Sequence, residues 1–303
     1  APDDQYRGQG IGVAIMDTGL DLSNNDLNIS SNTYDAFAPS NGGQDLDGHG
    51  THVGGIVSAL DNSVNVVGVV PKATLYAVRV LDETGSGSDS DIIGGLDWVA
   101  GYSGSPGIRV VNMSLGRDAY PEDSDPNHLM RLAVQQLTSK GVVVVVSAGN
   151  ESTKEITQKI PAAYPEVISV ASTTATKGNN QCRRLKGISI NSDTASYFTT
   201  DGSGVTISAP GANRENINKS CLVNSEGILS LKNGGGTERM SGTSMAAPHV
   251  TGVVAALMDK CGNLDVDSVK QIITGSAEKK GMAPLDSPTT MYSFDNVREG
   301  VLH

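Results

Sequence analysis

The stretch NHLMRLAVQQLTSKGVVVVVSAG, residues 127–149, carries the pattern that decides the fold. Its first part, 127–141, has apolar residues at helical spacing and ends at a glycine, a common helix terminus. Its second part, 142–149, is a valine run of strand length, as is typical of a strand that is buried on both faces. The stretch therefore predicts a helix followed by an interior strand.

The same alternation runs through most of the chain. Further strands are predicted at 11–16, 73–81, 108–114, 166–172 and 205–211, and further helices at 49–60, 89–102, 244–262 and 266–277. Strands that alternate with helices favour a parallel sheet covered on both faces. We therefore predict an α/β fold with a mostly parallel sheet of about seven strands, in one domain over residues 1–303.

Two local predictions accompany this fold. The segment 176–240 shows no clear periodicity, contains glycine and asparagine clusters, and is expected to form loops of the same domain. The helix over 89–102 has Asp89 or Ser90 as a candidate N-cap, because short polar side chains favour that position.

Composition and charge exclude several classes of function. The formal net charge is −11, and basic residues occur only in short pairs such as Arg183-Arg184, which argues against nucleic-acid binding. No apolar run approaches the roughly 20 residues of a membrane span. The chain opens with APDD and no leader pattern, so we expect a processed chain or one without a signal.

Polar side chains follow three predicted strands, where binding sites of parallel sheets lie. They are Asp17 after 11–16, Ser114 after 108–113, and Asn150 at the end of SAGN. Each alone is more commonly a turn or capping residue. Together they predict a site at the carboxyl edge of the sheet.

Two further motifs supply a base and a hydroxyl group. DGHGTHV (47–53) places His49 between glycines at a helix start, while His52, one turn later, is expected to point inward. GTSMAAPHV (242–250) places Ser244 at a helix N-terminus, where backbone N–H groups favour a developing anion. Ser244 is either a helix cap or a nucleophile, and the presence of Asp17 and His49 favours the nucleophile.

The motifs resemble those of the subtilisin family of serine proteases. The blocks MDTGLDLSNNDL, DGHGTHVGGIV, VVVVVSAGNE and SGTSMAAPHVTG occur in that family's order of Asp, His and Ser. The resemblance implies a three-layer subtilisin-like fold and an endopeptidase that acts through an acyl-enzyme. It implies that Ser244 is the nucleophile, His49 the base, Asp17 the residue that orients it, and Asn150 an oxyanion donor.

The resemblance also implies a cleft for extended polypeptide substrates. One edge is expected at Ser114, Leu115 and Gly116, the other at Gly85, Ser86 and Gly87, with Ala148, Gly149 and Lys159 in the primary pocket. Asp89 is expected in the fourth pocket, and Ile92 is a further expected substrate-binding residue. Lys159 predicts some tolerance for acidic side chains.

A calcium site is implied as well. Its expected ligands are Asp26 and the loop residues Leu60, Asn62, Val64 and Val66, although the N-terminal segment that adds a ligand in the family is not matched here. Calcium takes six to eight oxygens, so water would complete the set.

Three cysteines occur at positions 182, 221 and 261. A bond between Cys182 and Cys221 is predicted because both lie in stretches longer than in simple relatives, although loops allow other pairs. Cys261 is expected to be free. Met245 follows Ser244, so peroxide is expected to inactivate the protein in part.

The resemblance further implies secretion, a propeptide inhibitor and a monomer. A processing protease with few substrates and a non-catalytic binding protein on the same fold remain alternatives. A nucleotide-binding α/β protein is disfavoured, because no G-x-G-x-x-G motif follows the first strand.

Overall fold

The computed structural model describes residues 5–104, 107–262, 264–278, 280–289 and 297–302. Its strands are β1 (Gly12–Asp17), β2 (Tyr34–Asp35), β3 (Thr74–Arg79), β4 (Ile108–Met113), β5 (Arg117–Asp118), β6 (Val143–Ser147), β7 (Lys159–Ile160), β8 (Ile168–Thr174), β9 (Ile207–Ala212), β10 (Arg214–Ile217), β11 (Val223–Glu226), β12 (Ile228–Leu231) and β13 (Thr237–Met240). Its α-helices are α1 (His49–Ser58), α2 (Asp89–Gly101), α3 (Leu129–Ser139), α4 (Thr243–Cys261) and α5 (Val266–Ser276).

Seven strands form one parallel sheet in the order β2-β3-β1-β4-β6-β8-β9. The two faces of β6 explain its valine run. Val143 and Val145 lie in one apolar cluster with residues of α1, α4 and α5, while Val144 and Val146 lie in a second cluster with residues of α2 and α3. Helices thus cover both faces, and the predicted three-layer α/β fold is confirmed.

Segment 176–240 is more regular than predicted. It contains the antiparallel pairs β10-β11 and β12-β13, so the expectation of loops alone was wrong. Alternation is weak in these short strands because few of their residues are buried, and pairing with a partner strand defines them. The predicted bond between Cys182 and Cys221 is present in this region, and Cys261 is free and exposed.

The N-terminus of α2 also differs from the prediction. Its N-cap is Ser88, so Asp89 and Ser90 are not the cap. The Ser88 hydroxyl accepts a hydrogen bond from Asp91 N, and the Asp91 carboxylate accepts one from Ser88 N. This reciprocal capping box satisfies two groups that a helix start leaves open.

No helix in the described part of the chain combines the length and the apolar character needed to cross a membrane.

Candidate active site

Asp17 and His49 form a close pair at the carboxyl edge of the sheet. Asp17 is the last residue of β1 and is fully buried, and His49 is the first residue of α1. The Asp17 Oδ1 atom lies 2.7 Å from Nδ1 of His49 and also accepts a hydrogen bond from Thr18 N. The carboxylate therefore favours the tautomer with its proton on Nδ1, which leaves Nε2 as the basic nitrogen.

Asp45 organises the start of α1 and was not among the predicted site residues. Its Oδ1 accepts hydrogen bonds from the Thr18 hydroxyl and Gly48 N, and its Oδ2 accepts two from Thr51. Gly48 has a φ of 121°, which is strained for any residue with a side chain. The only sequence signal was the position of Asp45 in DLDGHG, which is typical of a turn.

The environment of His49 changes its basicity. Burial lowers its pKa, but the charge and hydrogen bond of Asp17, together with Asp47 and Asp45, outweigh that effect and raise the pKa above 6.5. His52 differs, because burial lowers its pKa to about 4. Its Nε2 lies 3.2 Å from two backbone carbonyls, those of Ile228 and Glu238, so His52 points inward as predicted.

Ser244 is the second residue of α4 and not its cap. The N-cap is Gly242, and no side chain caps this helix start. The Ser244 hydroxyl donates to the Ser114 carbonyl at 3.3 Å, and the Ser114 hydroxyl donates to the Ser244 carbonyl at 2.8 Å. No hydrogen bond joins Ser244 to His49, both of which belong to the described residues.

Asn150 is held beside Ser244 by Thr243. Its Oδ1 accepts hydrogen bonds from the Thr243 backbone N at 2.9 Å and from the Thr243 hydroxyl at 3.0 Å. The donor end, Nδ2, lies toward Gly242, where an added Cβ atom would approach to 3.3 Å. Asn150 and Ser244 line the same pocket. Thr243 was missed as a positioning residue, although the GTS motif contains it.

Two cavities meet at this point. His49 lines a cleft of 490 Å³ and Ser244 lines a pocket of 340 Å³, and both cavities share Ser114, Leu115 and Gly116. The cleft is also lined by Gly85, Ser86, Gly87, Asp89 and Ile92, and the pocket by Ala148, Gly149 and Lys159. The structure therefore brings all the predicted substrate residues to these cavities, although neither expected edge belongs to a regular strand.

Arg117 braces the two walls of the cleft, and no sequence signal singled it out. Its guanidinium bonds to both carboxylate oxygens of Asp89 at 3.0 and 2.7 Å and to both of Asp123 at 2.6 and 2.8 Å. It also donates to the Asp118 carbonyl at 2.9 Å. These contacts engage every nitrogen of the fork and place an ion pair beside an apolar surface formed by Leu81, Ile92, Leu115 and Met130.

Lys159 belongs to a closed ring of four charges. Its Nζ lies 2.7 Å from Asp118 and 3.0 Å from Glu151, and Lys154 Nζ lies 2.5 Å and 2.7 Å from the same carboxylates. The hydrogen bonds from Lys154 and Lys159 lower the pKa of Asp118 to about 2. The Lys159 side chain is only 10% exposed, so its charge at the pocket is compensated by its neighbours.

The residues of the predicted calcium site are hydrogen-bonded to one another. Asp26 is buried, and its two carboxylate oxygens accept hydrogen bonds from the side-chain amides of Asn62 at 2.7 Å and Asn65 at 3.1 Å. The Asn62 oxygen in turn accepts from Val64 N. Within the described residues, no group of three or more His, Cys, Asp or Glu side chains could hold a metal. A cation at Asp26 would have to displace these amides.

Comparison with known proteins identifies the family of this chain. The model of the Subtilase family matches residues 8–291, and the chain therefore belongs to that family. It is 38% identical to subtilisin E of Bacillus subtilis (strain 168) over 259 residues, which cover 84% of this chain and 57% of that protein. It is 37% identical to subtilisin Savinase of Lederbergia lenta over 254 residues, with coverage of 84% and 78%.

Solved structures show the same fold. A cold adapted subtilisin-like serine proteinase superposes with a TM-score of 0.73 at 27% identity and covers 98% of this chain and 89% of that one. Sphericase superposes with a TM-score of 0.75 at 26% identity, with coverage of 98% and 92%. The chain spans little more than half the length of subtilisin E.

Proposed function

We propose that this chain is a serine endopeptidase that hydrolyses peptide bonds through an acyl-enzyme on Ser244. The observation that carries the proposal is the Asp17–His49 pair at 2.7 Å. His49 lines the cleft, and the Ser244 hydroxyl at the start of α4 lines the adjoining pocket. A buried carboxylate, an imidazole with a raised pKa and a serine are the parts that acyl transfer needs.

The reaction follows from these positions. Ser244 Oγ leaves the Ser114 carbonyl, gives its proton to His49 Nε2 and bonds to the carbonyl carbon of the substrate. Catalytic hydrogen bonds are often longer in the unliganded state, so the absence of a bond between Ser244 and His49 is compatible with this step. Asp17 stabilises the imidazolium that forms.

Asn150 Nδ2 and the Ser244 backbone N–H then stabilise the oxyanion of the tetrahedral intermediate. When the intermediate collapses, the peptide C–N bond breaks and His49 gives its proton to the leaving amine. A water molecule, deprotonated by His49, attacks the acyl carbon. His49 then gives this proton to Ser244 Oγ as the acyl C–O bond breaks and the carboxylic acid product leaves. Every proton is thus returned, and the enzyme is regenerated.

The substrate is an extended polypeptide that lies between Gly85–Gly87 and Ser114–Gly116. The pocket next to Ser244, with Ala148 and Gly149, takes the side chain before the scissile bond. Lys159 lies in this pocket and supports tolerance for an acidic group, but such a group has to compete with Asp118 and Glu151.

A fluorophosphonate tests the proposal directly. The wild-type chain is expected to gain one adduct, mapped to Ser244 by peptide mass spectrometry, and the His49→Ala variant to gain none in the same time. A folded wild-type chain that stays unmodified would instead support a non-catalytic binding protein on this fold.

A processing protease with few substrates is a second candidate, favoured by the charged groups at both cavities. Asp89 and Arg117 border the cleft, and Lys159 borders the pocket. Cleavage of a peptide library and of casein distinguishes the two candidates. A narrow preference in the library supports a processing protease, whereas broad cleavage of casein supports a general endopeptidase.

We also propose that a calcium ion displaces the Asn62 and Asn65 amides from Asp26. The ion is then held by Asp26, the side-chain oxygen of Asn62 and the backbone carbonyls of Leu60, Val64 and Val66. Carboxylate and amide oxygens suit this cation. Added calcium is expected to raise the Tm of the wild type but not that of Asp26→Asn, and equal responses would refute the site. Secretion, a propeptide inhibitor and a monomeric state complete the proposal, on the resemblance alone.

A further inference from the structure

A cluster of cations lies around the disulfide, outside both cavities described above. It consists of Arg183, Arg184, Lys186 and Lys219, called the basic patch here, and all four side chains are exposed. Arg183 and Lys186 line one surface depression, and Arg183, Arg184 and Lys219 line a neighbouring one, so Arg183 lies between the two.

The basic patch lacks the carboxylate partners that other cations of the described chain have. Arg117 and Arg131 each pair with carboxylates at 2.6–3.0 Å, whereas no ion pair among the described residues involves a member of the patch. The segment TKGNNQCRRLKGISINS (176–192) contains no acidic residue, although the whole chain has 33 acidic and 22 basic residues. On a protein of net charge −11, these cations are concentrated in one place.

The backbone beneath the patch is fixed. The Cys182–Cys221 bond joins the two segments that carry the cations, with 4.9 Å between the Cα atoms. The Asn180 amide donates to the carbonyls of Leu185 and Ile188 at 2.8 and 3.0 Å, which closes the loop on itself. A small apolar cluster of Cys182, Ile190 and Ile217 underlies it. The cations therefore project from an ordered support, which reduces the entropy lost on binding.

We propose that the basic patch binds a linear anionic polysaccharide. Guanidinium groups suit the planar or tetrahedral oxygen groups of carboxylate and sulfate, and the Gln181 amide lines both depressions as a further donor. Neither depression contains the aromatic side chains that anchor most protein partners or stack on nucleic-acid bases. Two adjoining shallow depressions fit successive charged units of one extended polymer.

The probes are heparin, which is sulfated, and polygalacturonate, which is carboxylated, with polyglutamate as the acidic polypeptide for comparison. The full chain with Ser244→Ala, which prevents self-digestion, is titrated against each polymer at several salt concentrations. We expect binding to at least one polysaccharide, at least tenfold tighter than to polyglutamate. The affinity should fall with salt with a logarithmic slope on the order of −3.

The matched variants are Lys186→Glu/Lys219→Glu in the patch and Lys72→Glu/Lys232→Glu elsewhere, which change the net charge equally. Lys72 and Lys232 are exposed and form no ion pair in the described chain. The patch variant should lose at least tenfold in affinity and the control less than twofold. Cleavage of a short peptide, measured with Ser244 restored, should be unchanged in both.

Three results would overturn the proposal. They are failure of both polysaccharides to bind, equal losses in the patch and control variants, and binding to polyglutamate as tight as to either polysaccharide. The last would assign the patch to an acidic protein segment. An Arg183→Gln/Arg184→Gln variant is a control for misfolding, because it replaces the cations by neutral polar side chains without reversing the charge. It must also lose at least fivefold in affinity.

Discussion

Removal of the Cys182–Cys221 bond is predicted to lower the stability of the entire fold. The bond closes a loop over a sequence separation of 39 residues, and that loop contains β9, an edge strand of the central sheet. Without the bond, the unfolded chain has a higher conformational entropy. Because β9 belongs to the central sheet, this entropy lowers the free energy of unfolding of the core and not only of a surface segment. For a loop of this length, the chain-entropy relation gives about 4 kcal/mol at 25 °C.

The expected size of the effect can be measured as a change in melting temperature. With an unfolding entropy of about 2.1 cal/mol/K per residue, a loss of about 4 kcal/mol in a chain of 303 residues corresponds to roughly 6 °C. The double variant Cys182→Ser/Cys221→Ser is compared with the parent in a Ser244→Ala background. Fluorescence of Trp98, the single tryptophan, reports unfolding of the domain.

The free thiol provides the matched control. Cys261 is exposed and unpaired, so Cys261→Ser should leave the melting temperature within about 1 °C of the parent. Two results would refute the assignment of the stabilisation to the closed loop. The double variant could melt within 1 °C of the parent, or the melting temperature of Cys261→Ser could fall as much as that of the double variant.

Three further predictions concern the site. Asn150→Ala should lower kcat about 10²–10³-fold, the loss typical when subtilisin loses one oxyanion donor; Asn150→Asp, which keeps the acceptor for Thr243, should be no better, and recovery above one-tenth of wild-type kcat would show a merely structural role. The acidic limb of kcat/KM should have its midpoint above pH 6.5, because the raised pKa of His49 must be exceeded before it is neutral; a midpoint near pH 5 would contradict His49 as the base. Asp89→Ala removes a partly exposed ion pair from the apolar cleft while Arg117 keeps Asp123, so kcat/KM for peptides with a large apolar residue in the cleft should rise about threefold over short peptides; equal changes for both would refute the place of Asp89 in the substrate cleft.

Much of the sheet and of the site was predictable from local sequence. Val143–Ser147 had to be a strand with both faces buried, because a continuous valine run has no polar face to expose. Asp17, His49, Asn150 and Ser244 were predicted because each lies next to a strand or helix end with small residues around it. The structure places His49 on the cleft, Asn150 and Ser244 on the adjoining pocket, and Asp17 buried against His49.

Contacts between distant segments were decided only by the tertiary structure. Asp45 accepts hydrogen bonds from Thr18 and Thr51, and Arg117 joins Asp89 to Asp123. No periodic pattern in the sequence indicates either set of contacts. The ring that compensates Lys159 draws on residues 118, 151 and 154, so the sequence alone suggested an uncompensated cation.

Local sequence thus determined the order of strands and helices and the chemical groups at their ends, because burial periodicity and capping act over a few residues. Tertiary structure decided the contact of Asp45 with Thr18, the ion pair of Arg117 with Asp89 and the charges that face each cavity. The physical reason is that hydrogen bonds and ion pairs between remote segments depend on which surfaces the packed core brings together, and no local pattern encodes that choice.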